Sequence, residues 1–234
     1  MKTTILDKTK LVNSVFSQVH KKYDLMNDIM SFGVHRSWKK KFVDWLNPHF
    51  DSKLIDVASG TGDIAKLFSE KNNNLSEITC IEPNIGMLDE GKKNLKKFKN
   101  IKWIKAHAEK LPIKNDTFDF YTISYGIRNV TDINKTLSEA FRVLKPGGRF
   151  MCLEFSKINN ELLNFFYKQY SKSFPTIGKY IVGSSQPYEY LISSIEKFYN
   201  QDELIELMIA NGFSSTEYRN LSNGLSAIHT GWKI

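Results

Sequence analysis

At 234 residues, with 41% hydrophobic and 25% charged, the chain is long enough for one well-buried enzyme domain with an insertion. Its two cysteines, Cys80 and Cys152, lie in apolar strand-like runs without Cys-x-x-Cys or His-x-Cys spacing, so the sequence predicts neither disulfide nor metal site and fits a reducing cytoplasm. Residues 1–10 lack an apolar signal core and no run of 18 apolar residues occurs, so neither secretion nor membrane spanning is expected. The net charge of +8 calls for an anionic partner.

In chain order, Val12, Val15, Phe16, Val19 and Tyr23 recur at helical spacing and predict an amphipathic helix over residues 11–30, a candidate lid. The polar and aromatic stretch that follows contains His35 and Arg36, read either as functional groups or as the start of a helix running through Phe42, Trp45 and Leu46 to Pro48. Lys39, Lys40 and Lys41 form one basic cluster there. Next, Leu54, Ile55 and Val57 read as a buried parallel strand, turned by Gly60 and Gly62 into a helix with Asp63 at its N-cap. The second strand, Ile78 to Ile81, ends in Glu82, 22 residues beyond Gly60, where an acid accepts hydrogen bonds from ribose hydroxyls.

A helix is expected from Gly86 to about Phe98, then a third strand, Ile101 to Ala106, ending at His107, Ala108 and Glu109. Lys92, Lys93, Lys96, Lys97, Lys99, Lys102 and Lys105 fall within 14 residues without an acid. On a helix, 92, 96 and 99 would share a face for phosphates or lipid headgroups, or simply a solvated face. Asp116 to Asp119 turns the chain into a fourth strand, Phe120 to Ser124, whose end, through Asn129, points to the crevice of an open α/β sheet. A helix from about Asp132 to Leu144 stops at Lys145-Pro146-Gly147-Gly148, and Arg149 to Phe155 is the fifth strand. Residues 156–199 hold ten aromatics, more chain than a connection needs, and read as an apolar cover for a hydrophobic substrate. A helix over Leu204, Leu207 and Met208 precedes a terminal antiparallel pair, Ser215 to Leu221 and Leu225 to Trp232.

The expected fold is therefore α/β, a doubly wound and mainly parallel sheet with an antiparallel C-terminal strand pair, N-terminal helices and a helical insertion after strand five. It forms one domain: 1–50 the helical cover, 51–156 the cofactor-binding core, 157–199 the aromatic insertion, 200–234 the last helix and strands. Gly60-x-Gly62-x-x-Ala65 with Glu82 suits either a nicotinamide or another adenosyl cofactor. None of the ten tyrosines has a lysine four residues on, which removes the Tyr-x-x-x-Lys pair of a short-chain hydride-transfer enzyme.

What remains, with Asp56, Glu82, Asp116-x-Phe118-Asp119 and Leu144-Lys145-Pro146-Gly147-Gly148, resembles the class I S-adenosylmethionine-dependent methyltransferases. Tyr23-Asp24-x-Met26-Asn27, His35-Arg36-x-Trp38-Lys39, Gly126-Ile127-Arg128-Asn129, Leu153-Glu154-Phe155-Ser156, Tyr188-x-Tyr190-Leu191-x-x-Ser194-Ile195 and Ile228-His229-x-Gly231 together resemble the ubiquinone/menaquinone biosynthesis C-methyltransferase family. The resemblance implies C-methylation of a polyprenylated quinol, a 2-methoxy-6-polyprenyl-1,4-benzoquinol, demethylmenaquinol or both. It also implies a cofactor site in which Gly60 and Thr61 form the loop, Glu82 holds the ribose, His107 and Ala108 meet the adenine, and Ser124 lies beside the methionine part. The family usually has Asp or Asn at the position of His107, which shifts the expected adenine contact to the backbone; Asp is common at that of Glu82.

Methylation at carbon needs a quinol hydroxyl that loses its proton, hence a base or an anion stabiliser. Arg128 is the candidate, either stabilising the oxyanion or positioning a water, with Asn129 and Tyr23 orienting the ring; the alternative for Arg128 is a salt bridge fixing the loop. The polyprenyl tail and the lysines imply peripheral contact with the inner face of the membrane, and a homodimer or a quinone-biosynthesis assembly is a further partner. No nucleic acid is expected, because the chain has neither an Asn/Asp-Pro-Pro-Tyr-like motif nor an RNA-binding module. The competing readings are methylation of RNA or of another small hydrophobic acceptor, and a cofactor-binding scaffold without activity.

Overall fold

The computed structural model describes residues 12, 14, 15 and 23–234. Residues 1–10, Phe16 and Val19 lie outside the described residues, as does the side chain of Tyr23. Helices α1 (Tyr23–Ser31) and α2 (His35–Leu46) lead into strand β1 (Lys53–Val57), followed by α3 (Asp63–Lys71), β2 (Glu77–Ile81), α4 (Ile85–Asn94), β3 (Ile101–Ile104), β4 (Phe118–Ser124), α5 (Ile133–Val143) and β5 (Leu144–Phe155). Three helices, α6 (Glu161–Ser171), α7 (Phe174–Val182) and α8 (Gln186–Lys197), make up the insertion. Helix α9 (Gln201–Ala210), β6 (Ser214–Leu221) and β7 (Ser226–Trp232) close the chain.

The strands order as β3-β2-β1-β4-β5-β7-β6, parallel as far as β5 and antiparallel on both sides of β7. The chain winds outward from β1 to β3, then crosses back to place β4 on the other side of β1. The strand order reverses there, which opens a crevice beyond the ends of β1 and β4. Period-two alternation builds the core on both faces. Leu54, Phe120 and Met151 pack under α2 and α3, while Ile55, Val57, Tyr121, Ile123 and Phe150 pack with Leu137, Leu204 and Met208 of α5 and α9. Asp56 and Thr122, adjacent in register, are buried polar residues on the α2/α3 side of the sheet.

Several boundaries differ from the sequence reading, three of them with consequences. The N-cap of α3 is Gly62, at φ 91°, and Asp63 is its first helical residue rather than its cap. Helix α4 stops at Asn94, not near Phe98, because the chain turns Leu95 and Phe98 into the core. The expected lysine face of 92, 96 and 99 therefore does not form. Strand β5 starts at Leu144, five residues earlier than Arg149. Leu144 pairs with Phe118 and Arg149 with Phe120, so the Pro-Gly-Gly run is a bulge in the strand, held by Gly147 N–H on the Lys233 carbonyl (2.6 Å) and Lys233 N–H on that of Gly148 (3.0 Å). The 39–41 cluster is split as well, since Lys39 is buried while Lys40 and Lys41 are exposed. Arg149 ties α2 to the sheet: it donates to the Trp45 carbonyl (2.7 Å) at the helix C-terminus and to Thr230 Oγ1 (2.8 Å), its guanidinium lying over Trp45 and Trp232.

Candidate active site

Beyond β1 and β4 lies a cleft with about 730 Å³ of empty space, lined by Ala58, Gly60, Glu82, Met87, His107, Ala108, Glu109, Tyr125 and Asn129, with Val12 of the N-terminal segment on its rim. Both strands end in a non-glycine residue at positive φ, Ala58 at 53° and Tyr125 at 55°. Such backbone costs energy and persists where the surroundings impose it, as at ligand sites. Here it bends the two strand ends around the crevice. A Cβ on Gly126 would stand 2.5 Å from that of Ala58, so the two turns touch, and only glycine fits between them. At Gly62 a Cβ would stand 2.5 Å from Leu95; that glycine serves helix packing rather than ligand approach.

Glu82 closes one side. Its Oε2 accepts from Gly60 N–H and its Oε1 from Asn84 N–H, both at 2.9 Å. Burial pushes its carboxyl up to about 7 against these two bonds. Each oxygen keeps a lone pair for one more donor, which suits a vicinal diol. His107 and Ala108 line the wall next to it. Below the glycine loop the cleft continues into a narrower recess bounded by Lys39, Asp56, Ser59, Thr61, Asp63 and Ser124, sharing Ala58, Gly60 and Tyr125 with the main space. Asp56 is 1% exposed; Thr122 donates to its Oδ1 (2.8 Å), its Oδ2 has no partner, and burial raises its carboxyl to about 7. Ser124 Oγ is likewise buried without a partner. The geometry fits a nucleoside with a short polar tail: a diol acceptor beside His107 and Ala108, and a recess with two buried polar atoms that have no partner. Among the described residues no cluster of His, Cys, Asp and Glu is placed to hold a metal ion.

On the opposite wall the 3₁₀ turn Ile127–Asn129 follows β4. Asn129 faces the cleft, its Nδ2 donating to the Tyr125 carbonyl (3.3 Å) and its Oδ1 accepting from the Tyr190 hydroxyl of α8 (2.9 Å). Arg128 lies behind this wall, 4% exposed, ion-paired to buried Glu154 and donating to the Tyr125 carbonyl (2.9 Å). Burial raises the Glu154 carboxyl, with Arg128 acting against it.

The structure thus brings Gly60, Thr61, Glu82, His107, Ala108, Ser124 and Asn129 together, with Arg128 just outside. His35 and Arg36 lie apart from these, both holding Asp28 of α1. The sequence reading left out three contributors. Glu109 accepts from Thr131 N–H and Oγ1 (both 2.6 Å) on the cleft rim, and Tyr190 holds Asn129. The third, Lys39, had a visible signal: it falls on the stripe His35, Trp38, Phe42, Val43, Leu46, where a lysine needs a buried partner.

The model of the ubiE/COQ5 methyltransferase family matches residues 3–233. A protein of Rickettsia akari named ubiquinone/menaquinone biosynthesis C-methyltransferase is 51% identical, over 97% of this chain and 94% of that protein. Its namesake in Rickettsia bellii (strain OSU 85-389) is 50% identical over the same shares. Among solved structures, an S-adenosylmethionine-dependent methyltransferase of Thermotoga maritima superposes with a TM-score of 0.69 at 21% identity, covering 95% of this chain and 100% of that one. A Haemonchus contortus phosphoethanolamine N-methyltransferase in complex with S-adenosyl-L-methionine reaches 0.64 at 13% identity, over 84% of this chain and 52% of that one. These last two share the fold; the family follows from the full-length matches, and this chain belongs to the ubiE/COQ5 methyltransferase family, whose cofactor is S-adenosylmethionine.

Proposed function

We propose that the protein methylates a ring carbon of a polyprenylated quinol, on the ubiquinone route, the menaquinone route or both. The observation that carries this reading is identity of about half, along nearly the whole chain, with proteins named for that reaction. Bound in the cleft, S-adenosylmethionine supplies an electrophilic methyl group. Glu82 accepts the ribose hydroxyls, His107 and Ala108 border the adenine, and Gly60, Thr61 and Ser124 border the methionine part. The ring carbon of the acceptor becomes nucleophilic as the neighbouring hydroxyl loses its proton, so the opposite wall must orient that hydroxyl. Asn129, held by Tyr190, is placed to do so, and Tyr23 joins it on the strength of its motif. Arg128 is a positioning residue in this scheme: Glu154 already neutralises it, and its bond to the Tyr125 carbonyl fixes the turn that presents Asn129. Met87, Val130 and Val12 keep the cleft dry, which favours a reaction that joins opposite charges into neutral products.

A second cavity, with about 930 Å³ of empty space, lies under the insertion between Met30, Ile158, Tyr167, Phe174, Ile192 and Leu225. Lys157, Lys168 and Glu196 line it too, but most of its wall is apolar, which suits a prenyl chain. On the far side of the same helix, Leu162, Leu163, Phe165 and Phe166 of α6 are exposed, and Phe32 extends the patch by stacking on Tyr170 (4.2 Å). Residues 157–182 carry four lysines against one glutamate, which suits an anionic bilayer surface. This face, rather than the 92–105 lysines, is the proposed site of peripheral membrane contact; a second copy of the chain or another quinone-assembly enzyme is the rival occupant. The acceptor is tested by profiling quinones, by mass spectrometry, in cells where this chain is the sole candidate methyltransferase. Conversion of a demethylated precursor to ubiquinone or menaquinone is expected. Unchanged quinones, with S-adenosylmethionine still bound by the pure protein, would overturn the quinol reading.

A further inference from the structure

The motif His35-Arg36-x-Trp38-Lys39 is only partly absorbed by packing. His35 and Arg36 hold Asp28, and Trp38 sits edge-on to Phe155 (6.3 Å between centroids). Lys39 instead crosses from α2 to the floor of the recess, where its Nζ meets Asp63 Oδ2 at 2.5 Å. It is 6% exposed, a cation that helix α2 has taken almost wholly out of water. Asp63 is less committed: its side chain keeps 41% of its exposure, and it stands in the first turn of α3, where the helix dipole and free N–H groups favour an anion without help from Lys39. The buried partner is thus held by the more exposed one. Around them the recess presents two polar atoms with no partner, Asp56 Oδ2 and Ser124 Oγ, and the hydroxyl-bearing residues Ser59 and Thr61. A cation beside a helix N-terminus, facing a buried carboxyl with an open oxygen, is complementary to an α-amino acid zwitterion rather than to an uncharged or singly charged tail.

We propose that Lys39 reads the carboxylate of the amino-acid end of S-adenosylmethionine, and that Asp63 holds it in the recess until that carboxylate displaces it, the α-ammonium turning toward Asp56. This rests on the cofactor assignment and adds to it the residue that separates S-adenosylmethionine from nucleosides lacking the carboxylate. Because Lys39 belongs to α2, cofactor binding would also bear on how that helix is held against α3.

The test is calorimetric binding of S-adenosylhomocysteine and of its decarboxylated analogue to the full chain and to Lys39→Met, Lys39→Arg and Asp63→Asn, with thermal melts to check folding. The intact chain is expected to bind the decarboxylated analogue roughly 10- to 100-fold more weakly than S-adenosylhomocysteine, the range of one charge-assisted contact. Lys39→Met should lose that factor for S-adenosylhomocysteine and nothing for the analogue, Lys39→Arg should recover part of it, and Asp63→Asn should leave the preference for the carboxylate in place. If Lys39→Met weakens both ligands equally, Lys39 is only a strut between α2 and α3 and the proposal is overturned. Equal affinity of the intact chain for the two ligands overturns it without any variant. An intact chain that binds neither ligand contradicts the cofactor assignment instead, so the two failures are distinct.

Discussion

Glu82 and Asp56 both have carboxyls lifted by burial to about 7, yet they meet the cofactor differently. Glu82 offers a ribose two acceptor oxygens only when ionised, so cofactor affinity should rise with pH as its proton leaves. With a free-state value near 7, the dissociation constant of S-adenosylhomocysteine should fall roughly tenfold from pH 6 to pH 8 and level off above. Glu82→Gln should flatten that curve and weaken binding at pH 8. Since Asp56 titrates in the same window, Asp56→Asn is the necessary control; a slope that survives Glu82→Gln and vanishes in Asp56→Asn would move the effect to the recess. At this scale the sequence was informative where spacing dictates geometry. The interval from Gly60 to Glu82 is set by one βαβ unit, and the carboxylate indeed reaches back to the Gly60 N–H. Lys39 was less legible, because a lysine beside Lys40 and Lys41 reads as surface until the inward stripe of its helix is traced.

Element boundaries were legible where local chemistry stops a helix and obscure where burial does. Asn84, Asp132 and Asn200 cap α4, α5 and α9 through their own side chains, as their residue types suggest. The end of α4 has no such marker; Leu95 and Phe98 break the helix by turning to the core, which only the assembled sheet decides. Likewise, Pro146-Gly147-Gly148 reads as a stop in the sequence but is a bulge of β5, because the strand partner that holds it, Lys233, comes from the other end of the chain. Helix α6 is the reverse case. Its sequence predicts an apolar cover, and the structure leaves that apolar face outward, with Phe165 56% and Phe166 58% exposed. Exposed apolar patches of this kind mark contact surfaces. Replacing both phenylalanines by serine should lower retention by phosphatidylglycerol vesicles roughly tenfold or more, by the lost transfer of two aromatic side chains. Lys168→Gln with Lys172→Gln should weaken retention roughly thirtyfold at low salt and little at high salt, on the order of 1 kcal/mol per lysine. Unaltered vesicle binding in the serine variant, or a shift from dimer to monomer in sedimentation, would assign the face to protein contact.

Across the whole molecule, β7 joins the two ends of the fold, since it pairs antiparallel with β5 and carries β6 as the new edge. The terminal strand pair was legible from its turn at Ser222 to Gly224; its insertion beside β5 was not, because antiparallel alternation alone does not name a neighbour. That insertion buries His229 between the sheet and α9, with its Nε2 donating to the Gln201 carbonyl (3.0 Å), and burial lowers its pKa to about 4. The sign follows from linkage. Below 6.5 the unfolded chain takes up a proton that the folded chain refuses until about 4, so His229 draws stability away as the pH falls through that window, and has no such effect above it. The loss amounts to about 3 kcal/mol by pH 4. Asp56 and Glu82, with raised values, change stability oppositely over nearly the same range, so the total curve alone would hide the effect. The informative quantity is the difference between the intact chain and His229→Gln, whose amide can still donate to the Gln201 carbonyl. Urea unfolding at pH 7, 5.5 and 4 should show that difference moving steadily in favour of the variant as the pH drops; parallel curves would mean that His229 protonates in the folded state and that β7 opens locally to admit the charge.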